Sequence, residues 1–248
     1  MAGASEGIGA AFAEALARRG LNLWLLARRE DPLAAVARDL RDRYGTEVLW
    51  QALDMGDTER TEEFLGGIRE EIGLLVYNAA YSPIAYFADL EKKDLIKILA
   101  VNVRTPLLLV KELSQGMIDR GKGGVILMSS LSGTQGSPKI AAYAATKSFT
   151  TVLAEGLWHE LRQHGVDVLA TCAGAVRTPG YKRSQKNGKD APGTLDPDEV
   201  AESALTALGK GPVVVPGLTN RLANFVMGRL LPRKTAIGLM HKNTKNLN

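Results

Sequence analysis

The chain has 248 residues, 45% of them hydrophobic, with three histidines, one cysteine and a net charge of +4. That length can bury a substantial core and suits a single domain over 1–248, one cysteine excludes an intrachain disulfide, and basic residues interspersed with acids give no reason to invoke nucleic acid. No apolar run approaches the ~20 residues that span a bilayer and no signal-peptide pattern opens the chain, so the expected compartment is cytoplasmic.

Gly3-Ala-Ser5-Glu-Gly7-Ile8-Gly9 reads as a tight turn leading into a helix from Ala10 to Arg19 that Gly20 ends. Such a turn lets backbone N–H groups and a helix N-terminus approach a pyrophosphate with no side chain between them. It should follow a strand, yet only Met1 and Ala2 precede it. Three accounts stand open: the start is internal to a longer product, the sheet closes by pairing the neighbours of the missing strand, or the chain is a damaged copy. The first is favoured.

Leu21 to Ala27 is short and continuously apolar, as an interior parallel strand is, and Arg28-Arg29 follow it. At the end of the second strand of a dinucleotide-binding unit an acid holds the ribose 2′-hydroxyl, whereas arginine accommodates a 2′-phosphate. Arg28 therefore points to NADP(H), with NAD(H) second. Asp31-Pro32 predicts a helix start with aspartate at the cap. Glu47 to Ala52 predicts a strand leading to Asp54, whose second reading is the cap of a helix over 58–72. Leu74 to Tyr77 predicts a strand running into Asn78-Ala79-Ala80. Tyr81, Ile84, Tyr86 and Phe87 then either line a substrate mouth or pack under the next helix. Two helices, Asp89 to Leu99 and Val103 to Arg120, are expected on either side of Asn102, an amide among valines that needs buried partners and otherwise marks a structural kink.

The run ending Val-Ile-Leu-Met-Ser129 reads as a buried strand that delivers Ser130. Thirteen residues on, Tyr143 and Lys147 stand four apart among good helix formers, so they share a face. An ammonium there favours the phenolate. Bringing a tyrosine from about 10 to about 7 takes roughly 4 kcal/mol and would make it an acid and base near neutrality. Asp167 to Ala173 predicts a strand containing a buried Cys172, followed by Gly174-Ala-Val176-Arg-Thr178. The polar, basic segment 181–193 reads as a solvated loop or a substrate lid. Asp196-Pro-Asp-Glu199 has capping-box spacing, and Val213-Val-Val is the expected last strand. The tail, 219–248, mixes apolar residues with Arg221, Arg229, Arg233 and Lys234. It could lie on a membrane surface, though packing between subunits or over the site is favoured. His159, His164 and His241 have no metal-ligand spacing, and no metal is expected.

Taken in this order, the motifs resemble those of the short-chain dehydrogenases/reductases across most of the chain. The resemblance implies an α/β fold, a Rossmann-type doubly wound parallel sheet with helices on both faces, whose first strand is missing at the N-terminus. It implies hydride exchange between a nicotinamide and a carbonyl or secondary alcohol. Tyr143 would pass the proton, Ser130 would polarise the oxygen, Lys147 would tune the tyrosine and hold the nicotinamide ribose, and Asn102 would position a water. Cofactor contacts would come from Gly3, Ser5, Gly7, Ile8, Gly9, Arg28, Asp54, Met55, Asn78, Ala79, Ala80, Val176 and Thr178. Tyr77, Ala80 and Ala173 depart from the family's asparagine, glycine and proline, and Ala2 from its threonine. The branch most resembled holds 3-ketoacyl reductases and 17β-hydroxysteroid dehydrogenases, which implies an apolar small-molecule substrate and a homodimer or homotetramer. The competing expectation is a catalytically silent nucleotide-sensing or interaction module of the same fold.

Overall fold

Six apolar runs form parallel strands in a computed structural model that describes residues 1–185 and 190–244. They are β1 (Leu23–Ala27), β2 (Val48–Ala52), β3 (Leu74–Tyr77), β4 (Gly123–Ser130), β5 (Val166–Ala173) and β6 (Val213–Val214). β1 pairs with β2, Leu23 opposite Val48, while β3, β4, β5 and β6 pair in that order. Alternate strand residues face opposite ways, so each sheet face builds its own core.

Leu25, Val76, Ile126 and Leu169 pack on one side against α1 (Gly7–Ala17), α2 (Glu30–Tyr44) and α8 (Pro197–Ala207). On the other side Leu26, Leu75, Leu127 and Val168 meet α3 (Thr58–Gly67), α5 (Thr105–Asp119) and α6 (Ala141–Leu161). The remaining helices are α4 (Lys92–Leu99), α7 (Pro179–Ser184), α9 (Leu218–Phe225) and α10 (Arg233–Thr244).

Met1 and Ala2 lie between β1 and β3, where the first strand is expected. Ala2 bridges Leu26 and Tyr77 in parallel, its N–H donating to Val76 O at 2.9 Å and its carbonyl accepting from Asn78 N–H at 3.0 Å. Met1 O accepts from Leu26 N–H at 2.8 Å. β1 and β3 thus do not pair directly, contrary to the account in which the neighbours close the sheet.

Several expected boundaries shift. α2 starts at Glu30 with Arg29 as its cap residue, placing Asp31 and Pro32 within the first turn. α3 ends at Gly67 rather than Ile72, where Gly66-Gly67 offer no side chain to hold another turn. Its cap is Asp57, which accepts the Arg60 N–H at 3.1 Å, and not Asp54. α4 and α5 are not parted at Asn102. They run on through a π turn, Ala100–Arg104, that adds a residue without breaking the axis. Tyr77, in place of the family's asparagine, donates its hydroxyl to Val101 O in that turn at 2.5 Å. The capping box at Asp196 and Glu199 forms as expected.

Candidate functional site

The carboxyl ends of the strands open onto a cleft of about 1280 Å³, the place where open parallel sheets bind ligands. Arg28 comes from just beyond β1, Asp54 and Met55 from beyond β2, Asn78, Ala79 and Ala80 from beyond β3, Ser130 from the end of β4 and Thr178 from beyond β5. Gly3, Ser5, Gly7 and Ile8 line it from the first turn, and Tyr143 from the start of α6. Gly9, Asn102, Lys147 and Val176 lie behind its wall, and the last three are no more than 5% exposed.

Backbone contact explains the glycines. Gly3 (φ +80°) passes so close to β3 that an added Cβ would stand 2.7 Å from Ala79 N. At Gly7 (φ +58°) it would stand 2.8 Å from Thr178 Cγ2, and at Gly9 1.8 Å from Gly3 O. Asn78 Nδ2 donates to that same Gly3 O at 3.0 Å, fixing the turn to the β3 end. The N-terminus of α1 has no side-chain cap and no acid in its first turn, leaving its N–H groups for a ligand in the cleft. This cradle fits the pyrophosphate of a dinucleotide. Gly9→Ala should cost about 2–3 kcal/mol by overpacking, read as a lower urea midpoint; an unchanged midpoint would refute the close approach. Ala80 brings no such strain, since Lys139 is the only non-glycine with positive φ among the described residues.

Charges are arranged around the cradle. Glu6 pairs with Arg29 at 2.8 Å and with Arg183 at 3.2 Å. Burial alone would raise its pKa, but the two guanidiniums hold it below the usual carboxylate value. Arg28 is exposed on the cleft wall with no ion pair among the described residues. Asp54 Oδ1 accepts from Gly56 N–H at 2.9 Å and Oδ2 from Lys97 Nζ at 3.0 Å. Burial pushes its pKa up, and these donors with Lys97 and Arg28 outweigh that and hold it low.

Opposite the cradle, Ser130 hydrogen-bonds Tyr143 and accepts from Ser132 Oγ at 3.0 Å and Ser132 N–H at 3.2 Å. Lys147 Nζ lies 5.5 Å from the centroid of the Tyr143 ring and donates to Met128 O at 2.6 Å. The expected lowering of the tyrosine is not found. Although part of Tyr143 faces the cleft, surrounding protein pushes its pKa up to about 12 against the opposing bond from Ser130. Burial likewise lowers Lys147 to about 8. Desolvation of the charged form is the largest influence on both groups.

Asn102 has its partners. Oδ1 accepts from Tyr81 N–H at 2.8 Å, while Nδ2 donates to Tyr81 O at 2.9 Å and to Thr146 Oγ1 at 3.2 Å. No hydrogen bond joins it to Lys147 among the described residues. Val176 is buried, and its carbonyl accepts from Thr178 N–H at 2.6 Å; Thr178 Oγ1 caps α7 through Tyr181 N–H at 3.1 Å. Tyr81 and Ile84 line the cleft, whereas Tyr86 and Phe87 point to solvent. Of the expected lid, 181–193, residues 186–189 lie outside the described residues. Tyr181, Arg183, Ser184 and Gln185 line the cleft.

Sequence reasoning missed Ser132 and Gln135. Both are buried on the turn after β4 and line the cleft, and Gln135 Oε1 accepts from Thr134 Oγ1 at 2.5 Å. The signal was a second serine two residues past Ser130.

A model of the family described as short chain dehydrogenase matches residues 1–189. The very-long-chain 3-oxoacyl-CoA reductase of Anas platyrhynchos is 30% identical over 253 residues, covering 99% of this chain and 79% of its own. A Homo sapiens protein named inactive hydroxysteroid dehydrogenase-like protein 1 is 34% identical over 175 residues, 68% of this chain and 52% of its own. The solved short-chain dehydrogenase from Sphingobium yanoikuyae, in complex with NADPH, superposes with a TM-score of 0.79 at 30% identity, covering 88% of this chain and 87% of that one. A glycine cradle and a Ser130–Tyr143 pair on opposite walls of one cleft, in a chain matched by the family over three quarters of its length, make it a member of the short-chain dehydrogenase family of oxidoreductases.

Proposed function

We propose that this chain reduces the carbonyl group of an apolar small molecule, or oxidises the matching secondary alcohol, with NADP(H) as its preferred cofactor. The observation that carries this reading is the Ser130–Tyr143 hydroxyl pair facing, across the cleft, a glycine cradle shaped for a dinucleotide. A nicotinamide, when bound, supplies or accepts the hydride. The chain's own residues handle the oxygen. A protonated Tyr143 gives its hydroxyl proton to the carbonyl oxygen as negative charge develops there, and Ser130 donates a second hydrogen bond to it. Ser132, donating to Ser130, keeps that hydroxyl oriented outward. Lys147, pinned by Met128 O, holds a cation beneath the tyrosine ring. Ile84, Ile140, Met227 and Met240 give the substrate end of the cleft an apolar lining.

Arg28 supports the NADP(H) preference, because its neighbour Arg29 is paired with Glu6 while Arg28 forms no ion pair among the described residues and faces the cleft. The NADPH-bound relative is consistent with it. Titrating the chain with NADPH and NADH in parallel, by cofactor fluorescence, tests this. Arg28→Ala should weaken NADPH about tenfold or more, the contribution of a charged hydrogen bond, and leave NADH unchanged. Equal weakening of both would remove Arg28 from 2′-phosphate recognition. Exposed Ile96, Leu99, Leu107 and Val152 on α4, α5 and α6 support a homo-oligomer. The inactive human relative favours a second reading, binding without turnover, which the Tyr143 substitution described below separates from the first.

A further inference from the structure

α9 is built inside out. Leu218, Leu222 and Phe225, spaced four and three apart, share one face and are 81%, 65% and 54% exposed. Its opposite face, through Asn220, Ala223 and Asn224, lines the cleft. Asn220 Nδ2 fixes the helix there by donating to Gly193 O at 3.0 Å and Pro216 O at 3.1 Å. A helix on a water-facing surface turns its apolar stripe inward, so a rigid outward stripe, continued by Leu230 at 63% exposure, marks a contact surface.

Charge identifies the occupant. Beyond Glu202 the sequence holds seven lysines and arginines and not one aspartate or glutamate. Arg221, Arg229, Arg233 and Lys234, all exposed, border the stripe in sequence, and none forms an ion pair among the described residues. A second copy docked here by a two-fold axis would bring these uncompensated cations against their own images. An anionic lipid surface would meet both features, burying the leucines at the acyl boundary and pairing the cations with headgroups. No helix among the described residues is long and apolar enough to cross a membrane, so the contact is one of lying on the surface.

We propose that α9 and the π turn Val226–Leu230 dock this chain on an anionic membrane surface, setting the cleft mouth beside the bilayer so that apolar substrates enter from the lipid. Docking stands on the surface alone; only the identity of what enters rests on the carbonyl reading above.

The test is flotation of the full chain with vesicles of phosphatidylcholine alone or with phosphatidylserine added, so that it reads binding whether or not the protein turns over. Wild type should float with the anionic vesicles and release as salt rises. Leu222→Ser/Phe225→Ser should lower partition about tenfold or more through lost apolar burial. Arg229→Gln/Lys234→Gln should lower it only where phosphatidylserine is present. Circular dichroism melts matching wild type certify that these surface variants are folded. Absence of wild-type binding, or binding that both variants retain, would overturn the proposal. A wild-type dimer that Leu222→Ser/Phe225→Ser dissociates would also overturn it, assigning the face to a second copy.

Discussion

Turnover of a carbonyl substrate should fall about a thousandfold in Tyr143→Phe, within the range supplied by a positioned general acid, while NADPH binds as before. The phenyl ring keeps the packing against Lys147, whose nitrogen lies 5.5 Å from the ring centroid, and removes only the hydroxyl that meets Ser130. A folded variant with unchanged cofactor affinity and lost turnover assigns the proton to Tyr143. Unchanged turnover would refute that role, and a wild type that binds NADPH but turns over no carbonyl would favour the silent reading. The pH profile gives a second readout. With Tyr143 pushed up to about 12, its hydroxyl stays protonated through neutrality, so reduction should be flat from pH 6 to pH 7.5 and oxidation of the alcohol should climb as the phenolate fraction grows. A reduction rate falling through pH 7 would mean that the tyrosine ionises near neutrality in the working enzyme.

That sign is the point at which sequence reasoning about the site fell short. The four-residue spacing of Tyr143 and Lys147 placed both on one helix face, as found, but spacing carries no information on burial. Lys147 is 4% exposed with its nitrogen on Met128 O, so desolvation, invisible in a one-dimensional pattern, dominates both groups. The glycine turn was legible because backbone approach demands glycine wherever it occurs. What that turn touches was not. Glu6 meets Arg183 across 177 positions of sequence, and no local pattern foretells such a pair. Asn102 was correctly read as a buried amide needing partners, yet its partners are the Tyr81 backbone and Thr146, set by a π turn whose extra residue leaves no mark on hydrophobic periodicity. The strands were legible because continuous apolar runs too short for amphipathic helices have few other fates. Met1 and Ala2 carry no periodicity of their own, and it is the family's strand order, not local pattern, that sets them between β1 and β3.

For a chain whose Met1 amine is free, folding stability should rise by up to about 4 kcal/mol between pH 5 and pH 8 from this one group. The amine donates to Trp24 O at 2.8 Å from within the sheet, and burial lowers its pKa from 8.0 to about 5. Below pH 5 it is protonated folded and unfolded, and the folded state bears the cost of a desolvated charge. Between pH 5 and pH 8 the unfolded chain binds the extra proton, so raising the pH favours folding; above pH 8 both forms are neutral and the effect is complete. Joining apolar residues ahead of Met1 converts the amine to an amide, whose N–H can still donate to Trp24 O without carrying charge. Urea titrations at pH 5 and pH 8 should therefore show a steep dependence for the free amine and a shallow one for the extended chain. Equal slopes would show that the amine is hydrated rather than buried. The consequence reaches the cofactor, because Met1 and Ala2 stitch β1 to β3 and Gly3 follows them directly into the cradle. Lower pH should loosen that stitch and weaken NADPH binding in the free-amine chain, and the extended chain should hold its affinity.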